Sequence, residues 1–413
     1  MYLLGRMLES FVRRGTLTLV GPDGSARQYG DGKAPHVRLA IADKGTARRV
    51  FLNPGLALGE AYMDGLIRVE QGDIYDFLDL CFANLGWDMP GSFRRMARGL
   101  SRLGRRVAQY NPIRRARQNV AHHYDLSDNL YDLFLDSDRQ YSCAYYLRPG
   151  DSLEQAQAQK KRHIASKLLL KPGQKVLDIG SGWGGLGLYL AQVADADVTG
   201  LTLSQEQHKV SNRRARDNGL GDRVRFEFRD YRQEYGRYDR IVSVGMFEHV
   251  GIGHYRTYFE KLRDLLADDG VALLHTIGRA DGPGSTNAWI RKYIFPGGYS
   301  PALSEIVPVI ERVGLHITDI EILRLHYAET LKAWRRRFNA NRKRIAEIYD
   351  ERFCRMWEFY LAASEATFRH SGHVNFQIQL AKKVDTVPLT RDYMLDWERD
   401  QRLEFASKAS AAE

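Results

Sequence analysis

The clearest pattern lies in the second half of the chain, where short apolar runs alternate with stretches whose apolar residues recur at helical spacing. Strands are predicted at Lys175 to Ile179, Asp197 to Leu203, Arg223 to Arg229, Tyr238 to Val244, Val271 to Thr276, Ile317 to Leu323 and Phe376 to Ala381. Helices intervene, including a long basic one from about Glu329 to Phe368. This alternation predicts an α/β fold with a mainly parallel sheet covered on both faces, and a ligand outside the carboxyl ends of the strands, near the first. That first strand runs into Lys175-Val-Leu-Asp-Ile-Gly-Ser-Gly-Trp-Gly-Gly185, followed by apolar Leu186, Leu188, Tyr189 and Leu190. A strand breaking into glycines ahead of a helix lets backbone N–H groups and the helix N-terminus meet a nucleotide-like cofactor closely.

Before this region the pattern is different. Met1 to about Leu85 mixes strand-like runs (Thr16 to Val20, Val37 to Ile41) with turns and a helical stretch from Asp73 to Phe82, which reads as a small α+β domain without visible catalytic residues. From Ser92 to Gln118 there are nine arginines and no acid, while Phe93, Met96, Ala97, Leu100, Leu103 and Val107 recur at helical spacing. A basic amphipathic helix is predicted there, ended by Asn111-Pro112; it is either an anionic-surface binder or a linker helix that solvates its charges. The expected division is residues 1–85, a basic linker at 86–120, the α/β domain at 121–391 and a tail at 392–413. Arg279 to Pro301, rich in Gly and Pro with Trp289, Tyr293 and Phe295, is too long for a plain connection and is expected to form a lid or an acyl-chain wall.

Composition narrows the setting. The net charge of +10 directs the surface toward polyanions, either nucleic acid or an anionic membrane leaflet. Three scattered cysteines, Cys81, Cys143 and Cys354, fit a reducing cytoplasm better than a disulfide framework. Arg6 and Glu9 interrupt what would be the apolar core of a signal peptide, and no uncharged run approaches the roughly 20 residues of a spanning helix. Any work on a membrane is therefore expected from its surface.

The second strand discriminates among cofactors. A nicotinamide or flavin site would want the third glycine of Gly-x-Gly-x-x-Gly and an acid about 20 residues on. Here the second strand ends in Thr202 and Ser204 with Gln207 a turn later, Asp178 precedes the glycine turn, and later strands end in Asp230 and in Phe247-Glu248-His249. Together these features resemble the S-adenosylmethionine-dependent methyltransferases. Further segments match one branch in order and spacing: His122-His123-Tyr124-Asp125-Leu126, Gln140-Tyr-Ser-Cys-Ala-Tyr145, Gly200-Leu-Thr-Leu-Ser-Gln-Glu-Gln207, Val244-Gly-Met-Phe-Glu-His-Val-Gly251, Tyr293-Ile-Phe-Pro-Gly-Gly298 and His326-Tyr-Ala-Glu-Thr-Leu331. From Ala121 to Val384 the chain resembles the cyclopropane-fatty-acyl-phospholipid synthases and their mycolic-acid relatives, and its N-terminal part resembles the small lipid-binding-like domain of the bacterial enzymes.

The resemblance implies a Rossmann-like class I methyltransferase with a seven-stranded, mostly parallel sheet. It also implies methyl transfer from S-adenosylmethionine to a cis double bond of an unsaturated phospholipid acyl chain, closing a cyclopropane ring. The base it implies is a bound bicarbonate, cradled by Cys143, Glu248, His275, Ile277 and Tyr327, with Cys143 and Ile277 offering backbone groups. For the cofactor it places Tyr141 and Ser142 near the methionine moiety, with Asp178, Gly180 and Gly182 along the turn. Thr202, Leu203 and Gln207 fall at the ribose, and Asp230 with Tyr231 near the adenine. Where Tyr231 stands, the mycolic-acid relatives carry Trp. Tyr145, Tyr293, Phe295, Tyr327 and Trp334 are candidates to face positive charge developing on the substrate. Localisation follows as cytoplasmic and peripheral on the inner membrane. Self-association is common in the family, but the sequence carries no homodimer interface signature.

Taken singly, each residue has a plainer reading. Cys143 could be an ordinary buried thiol, Glu248 a helix cap and His275 a satisfied core histidine. His122-His123 lacks a second ligand cluster with zinc or iron spacing, so no metal is expected. The Lys332 to Arg344 charge run is a solvated helix face or a phosphate-headgroup contact. No nucleic-acid partner is expected either, because the fourth strand runs into Gly245-Met-Phe-Glu-His249 instead of an Asp/Asn-Pro-Pro-aromatic loop. Within the same reaction class, the alternative is a methyltransferase that stops at a methyl-branched or methyl-alkene product.

Overall fold

The computed structural model describes residues 1–85 and 128–410. The predicted arginine-rich helix and the His122 to Leu126 segment lie outside the described residues. The N-terminal part builds a four-stranded sheet from β1 (Thr16–Val20), β2 (Ala26–Gly30), β3 (His36–Ile41) and β4 (Ile67–Gln71), in the order β2-β1-β3-β4. Leu17, Leu19, Val37, Leu39 and Ile41 alternate onto one face and are buried with Leu4 and Leu8 of the Tyr2–Phe11 helix and Phe77 and Leu78 of the Ile74–Leu85 helix. The largely exposed β2 and β4 carry little apolar pattern, which is why the sequence reading passed over them.

The second sheet has seven strands in the order β10-β11-β9-β8-β5-β6-β7. These are β5 (Lys175–Ile179), β6 (Asp197–Thr202), β7 (Val224–Phe228), β8 (Tyr238–Val244), β9 (Leu266–Arg279), β10 (His316–Leu323) and β11 (His373–Ala381). The β5, β6, β7, β8 and β9 pairings are parallel, and β11 is antiparallel to both β9 and β10. Helices cover both faces, so Val176, Leu177 and Ile179 of β5 are almost completely buried, an apolar run interrupted only by the buried Asp178. The strand order reverses at β5, between β6 and β8, and the crevice at its carboxyl end is where such sheets hold ligands.

Two expectations need correction. The single long basic helix is three helices, His326–Ala340, Arg342–Ile348 and Glu351–His370, because Tyr349 leaves the helical region and Asp350 caps a new helix by accepting the Phe353 N–H at 2.6 Å. Strands β9 and β11 are longer than their apolar cores, since their pairing extends from Arg279 opposite His373 to Val271 opposite Ala381. The residue 392–413 tail is helical over Asp392–Ser410 and packs on the Leu153–Leu168 helix, where Glu398 reaches His163 at 2.5 Å.

The two parts are joined by packing and by ion pairs. Trp289, in the segment expected to be a lid or acyl-chain wall, is buried with its indole N–H 3.2 Å from Met63 Sδ and its ring 4.8 Å from Phe359. Lys292 and Tyr293 both bond Glu60, at 2.6 and 2.9 Å. This segment is thus clamped to the N-terminal part. Among the described residues, no helix is long and apolar enough to cross a membrane.

Candidate active site

The glycine turn at the end of β5 opens a pocket lined by all ten residues expected at the cofactor: Tyr141, Ser142, Asp178, Gly180, Gly182, Thr202, Leu203, Gln207, Asp230 and Tyr231. Four of the chain segments that meet there follow the carboxyl ends of β5, β6, β7 and β8 at the strand-order switch, and a fifth, Arg139 to Ser142, closes over them. Gly180 has φ +86°, and a Cβ there would sit 2.8 Å from Met246 Cβ, so a side chain is excluded both by conformation and by space. Gly182 has φ +55° with open space around it, so its requirement is conformational alone. Thr202 donates its hydroxyl to Gln207 Oε1 at 2.9 Å, and Ser204 caps the Gln205–Asp217 helix, fixing this edge of the pocket.

Two acids of the pocket differ sharply. Asp230 is buried, with a guanidinium fork from Arg232 at 2.8 and 2.7 Å neutralising its charge. Asp178 is 1% exposed, its Oδ2 has no hydrogen-bond partner, and burial pushes its carboxyl up to about 7. Such an orphaned acceptor fits a ligand that brings a donor or a cation.

The five residues expected at the reaction centre do not line this pocket. Glu248 sits in the short Phe247–His249 turn that follows β8, where its Oε1 accepts the Ile277 N–H at 2.6 Å. It caps no helix. Its Oε2 is buried without a partner, and burial pushes the carboxyl up to about 7. His275 and Ile277 lie two apart on β9, on one face of the sheet. Ile277 packs against the apolar cluster that holds Cys143 and Tyr327. The Cys143 segment is tied to the Tyr327 helix by the Ala144 N–H on Thr330 Oγ1 and the Tyr146 N–H on His326 Nδ1, each at 3.0 Å. Burial pushes the Cys143 thiol well above its ordinary value, which leaves it without thiolate character.

Asn375 and Gln377, which the sequence reading did not single out, complete the setting of His275. Their amide nitrogens lie 3.3 and 3.1 Å from Nε2 and Nδ1 of the ring, and both amide oxygens are otherwise buried without partners. Burial pushes His275 down to about 3, so the ring is neutral and offers one N–H and one lone pair. One of the two amides therefore presents its oxygen to the ring, and that choice sets the tautomer. A signal was present: Asn375, Gln377 and Gln379 place a polar residue at every second position of a strand buried on both faces.

The aromatic residues divide as well. Tyr145 is sandwiched between His163 at 4.1 Å and His326 at 4.7 Å, both stacked, so neither ring face is open to a substrate. Tyr141 instead meets Tyr360 hydroxyl to hydroxyl at 3.1 Å and Trp334 at 5.1 Å, Trp334 meets Tyr327 at 5.8 Å, and Phe295 meets Tyr360 at 5.9 Å. Tyr141 thus links this pocket to a continuous aromatic wall.

Comparison with known proteins agrees with this geometry. The mycolic acid cyclopropane synthetase family matches residues 112–378, and a domain of unknown function matches residues 7–87. The chain is 39% identical over 355 residues to the cyclopropane-fatty-acyl-phospholipid synthase of Escherichia coli, covering 86% of this chain and 90% of that one. It is 35% identical over 387 residues to the tuberculostearic acid methyltransferase UfaA1 of Mycobacterium tuberculosis, covering 90% and 89%. Among solved structures, mycolic acid cyclopropane synthase CmaA1, complexed with SAH and CTAB, superposes with a TM-score of 0.62 at 32% identity, covering 66% of this chain and 99% of that one. With a seven-stranded class I sheet and a pocket at its switch point, this chain belongs to the mycolic acid cyclopropane synthetase family and is an S-adenosylmethionine-dependent methyltransferase.

Proposed function

We propose that the enzyme methylates the cis double bond of an unsaturated phospholipid acyl chain and closes a cyclopropane ring. The observation that carries this reading is a buried carboxyl at the carboxyl end of β8, Glu248, whose Oε2 has no hydrogen-bond partner and whose Oε1 holds Ile277, a residue packed against the cluster that contains Tyr327 and Trp334 of the aromatic wall. When bound, S-adenosylmethionine supplies an electrophilic methyl group and bicarbonate a weak base. An alkene is a poor nucleophile, so the chain's own residues must supply position and dryness. Tyr141, Trp334 and Tyr327 exclude water and offer ring faces and edges to positive charge developing on the substrate. The orphaned Glu248 oxygen is an acceptor, which suits the hydroxyl of bicarbonate, and the neutral, amide-held His275 orients the same region. Together they would hold the anion where a proton of the transferred methyl is removed as the ring closes.

Access to substrate is proposed from the cytoplasmic membrane surface, with the arginine-rich Ser92 to Gln118 stretch docking on anionic lipid. Replacing Arg94, Arg95, Arg98 and Arg102 together with Gln is expected to weaken co-sedimentation with anionic vesicles while cofactor affinity stays the same. Unchanged sedimentation would remove this stretch from the docking account. Lipid product analysis tests the reaction itself and separates ring closure from a methyl-branched or methyl-alkene product.

A further inference from the structure

Behind the cofactor pocket lies a buried cation that the mechanism above does not use. Lys160, on the Leu153–Leu168 helix, is 1% exposed, and its ammonium donates to Gln140 Oε1 at 2.5 Å and to Ser142 Oγ at 2.9 Å. Both acceptors are neutral and both line the pocket. Among the described residues Lys160 pairs with no carboxylate. Asp136 and Asp138, which act on it electrostatically, are engaged elsewhere. Asp136 accepts the Gln140 and Asp138 N–H groups at 2.9 and 3.1 Å, and Asp138 pairs with Lys161 and Arg214. The neighbouring Lys161 therefore sits in a direct ion pair, whereas Lys160 feels the charges of Asp136, Asp138 and Asp178 without pairing with any of them.

A buried charge without a direct ion pair is costly, and that cost is visible in Lys160, which burial pushes down to about 8. The cost is reduced if an anion arrives with a ligand. Ser142 Oγ accepts from Lys160 and keeps its own O–H free to donate onward, so the lysine polarises a donor at the pocket wall. In the same lining, the orphaned Asp178 oxygen requires a donor or a cation. Lys160 and Asp178 attract each other at a distance without an ion pair between them, and a positive and a negative group so placed suit an amino-acid zwitterion, which is one end of S-adenosylmethionine.

We propose that Lys160 is the charge that reads the carboxylate of the cofactor's amino-acid end, acting as a positioning residue through the Ser142 hydroxyl. The inference rests on the reading of this pocket as the cofactor site. It is tested by calorimetric titration of the full chain with two probes, S-adenosylhomocysteine, which carries the amino-acid end, and 5′-methylthioadenosine, which lacks it. Lys160→Met is expected to weaken S-adenosylhomocysteine at least about tenfold, the size of a lost charge-assisted hydrogen bond, and to leave 5′-methylthioadenosine unchanged. Lys160→Gln, which keeps a donor for Gln140 and Ser142 but not the charge, and Ser142→Ala, which keeps the lysine, should show the same selective loss and guard against misfolding of the first variant. Equal weakening of both probes would make Lys160 merely structural, and unchanged binding of both would remove it from recognition; either result overturns the proposal. Wild-type protein that binds neither probe would overturn the pocket assignment itself.

Discussion

Glu248→Gln is expected to lower kcat by at least about a hundredfold, the lower end of what positioned acid–base groups contribute, while fold and cofactor affinity persist. The amide retains a carbonyl oxygen for the Ile277 N–H bond, which is 2.6 Å in the wild type, so the local backbone keeps its anchor. What is lost is the charge and the second acceptor, since Oε2 becomes an NH2 group in a buried site. The pH dependence follows with a definite sign. Burial raises the Glu248 carboxyl to about 7, so wild-type kcat should fall as pH drops below about 7, where the acceptor form is lost. His275, at about 3, stays neutral throughout this range and contributes no limb. Because the folded value lies above the ordinary carboxylate value, the carboxyl favours the folded state at acid pH, and that contribution is lost as pH rises through about 7. At pH 8 the glutamine variant should therefore melt at or above the wild-type temperature while being nearly inactive. Near-normal kcat would remove Glu248 from the reaction centre.

Glu365→Ala is expected to produce the largest loss of stability, about 3 to 5 kcal/mol, as is usual when one partner of a buried charge network is deleted. Its side chain is 1% exposed and accepts from Arg335 at 3.0 Å and from Arg369 at 2.9 Å. Arg335 also reaches Asp73 at 3.4 Å and lies over the Tyr75 ring at 4.1 Å, so this carboxylate organises the junction between the two parts of the molecule. Its removal leaves two guanidinium groups close together, Arg335 with the 3.4 Å contact to Asp73 and Arg369 with Glu329 at 2.9 Å. By contrast, the Arg27–Glu9 pair, with both side chains more than half exposed, should change stability by less than about 1 kcal/mol when Arg27 becomes Ala. Urea unfolding followed by circular dichroism separates the two cases; equal midpoints for both variants would refute the argument from burial.

The core of the fold was legible because strands covered on both faces carry apolar residues on both, so that Val176-Leu177 in β5 and Ile241-Val242 in β8 stand out as runs. That is why β5 and β8 were read with their correct ends. The pocket at the switch point was legible for a related reason: the Gly180 and Gly182 backbone, the Thr202 to Gln207 strand end and Asp230 sit where short local signals coincide with a topological switch. Elsewhere, local pattern was insufficient. The breaks at Asn341 and Tyr349 carry neither Gly nor Pro, and only the Asp350 cap hints at a new helix. The Arg279 to Pro301 segment read as a lid or an acyl-chain wall, and its attachment to Glu60 and Met63 was not legible because those partners are more than two hundred residues away. Lys160 was concealed by its neighbourhood, since a Lys-Lys-Arg run on a helix reads as a solvated face until burial distinguishes one lysine from the next.

The reaction is tested most directly by incubating the purified chain with S-adenosylmethionine and vesicles of cis-unsaturated phospholipid, then analysing the acyl chains by mass spectrometry and proton NMR. The account predicts a gain of one CH2 with loss of the alkene signal and appearance of upfield cyclopropane protons. The same mass gain with a methyl branch or a retained alkene would contradict ring closure, and an unmodified lipid beside demonstrated cofactor binding and vesicle docking would contradict the substrate assignment.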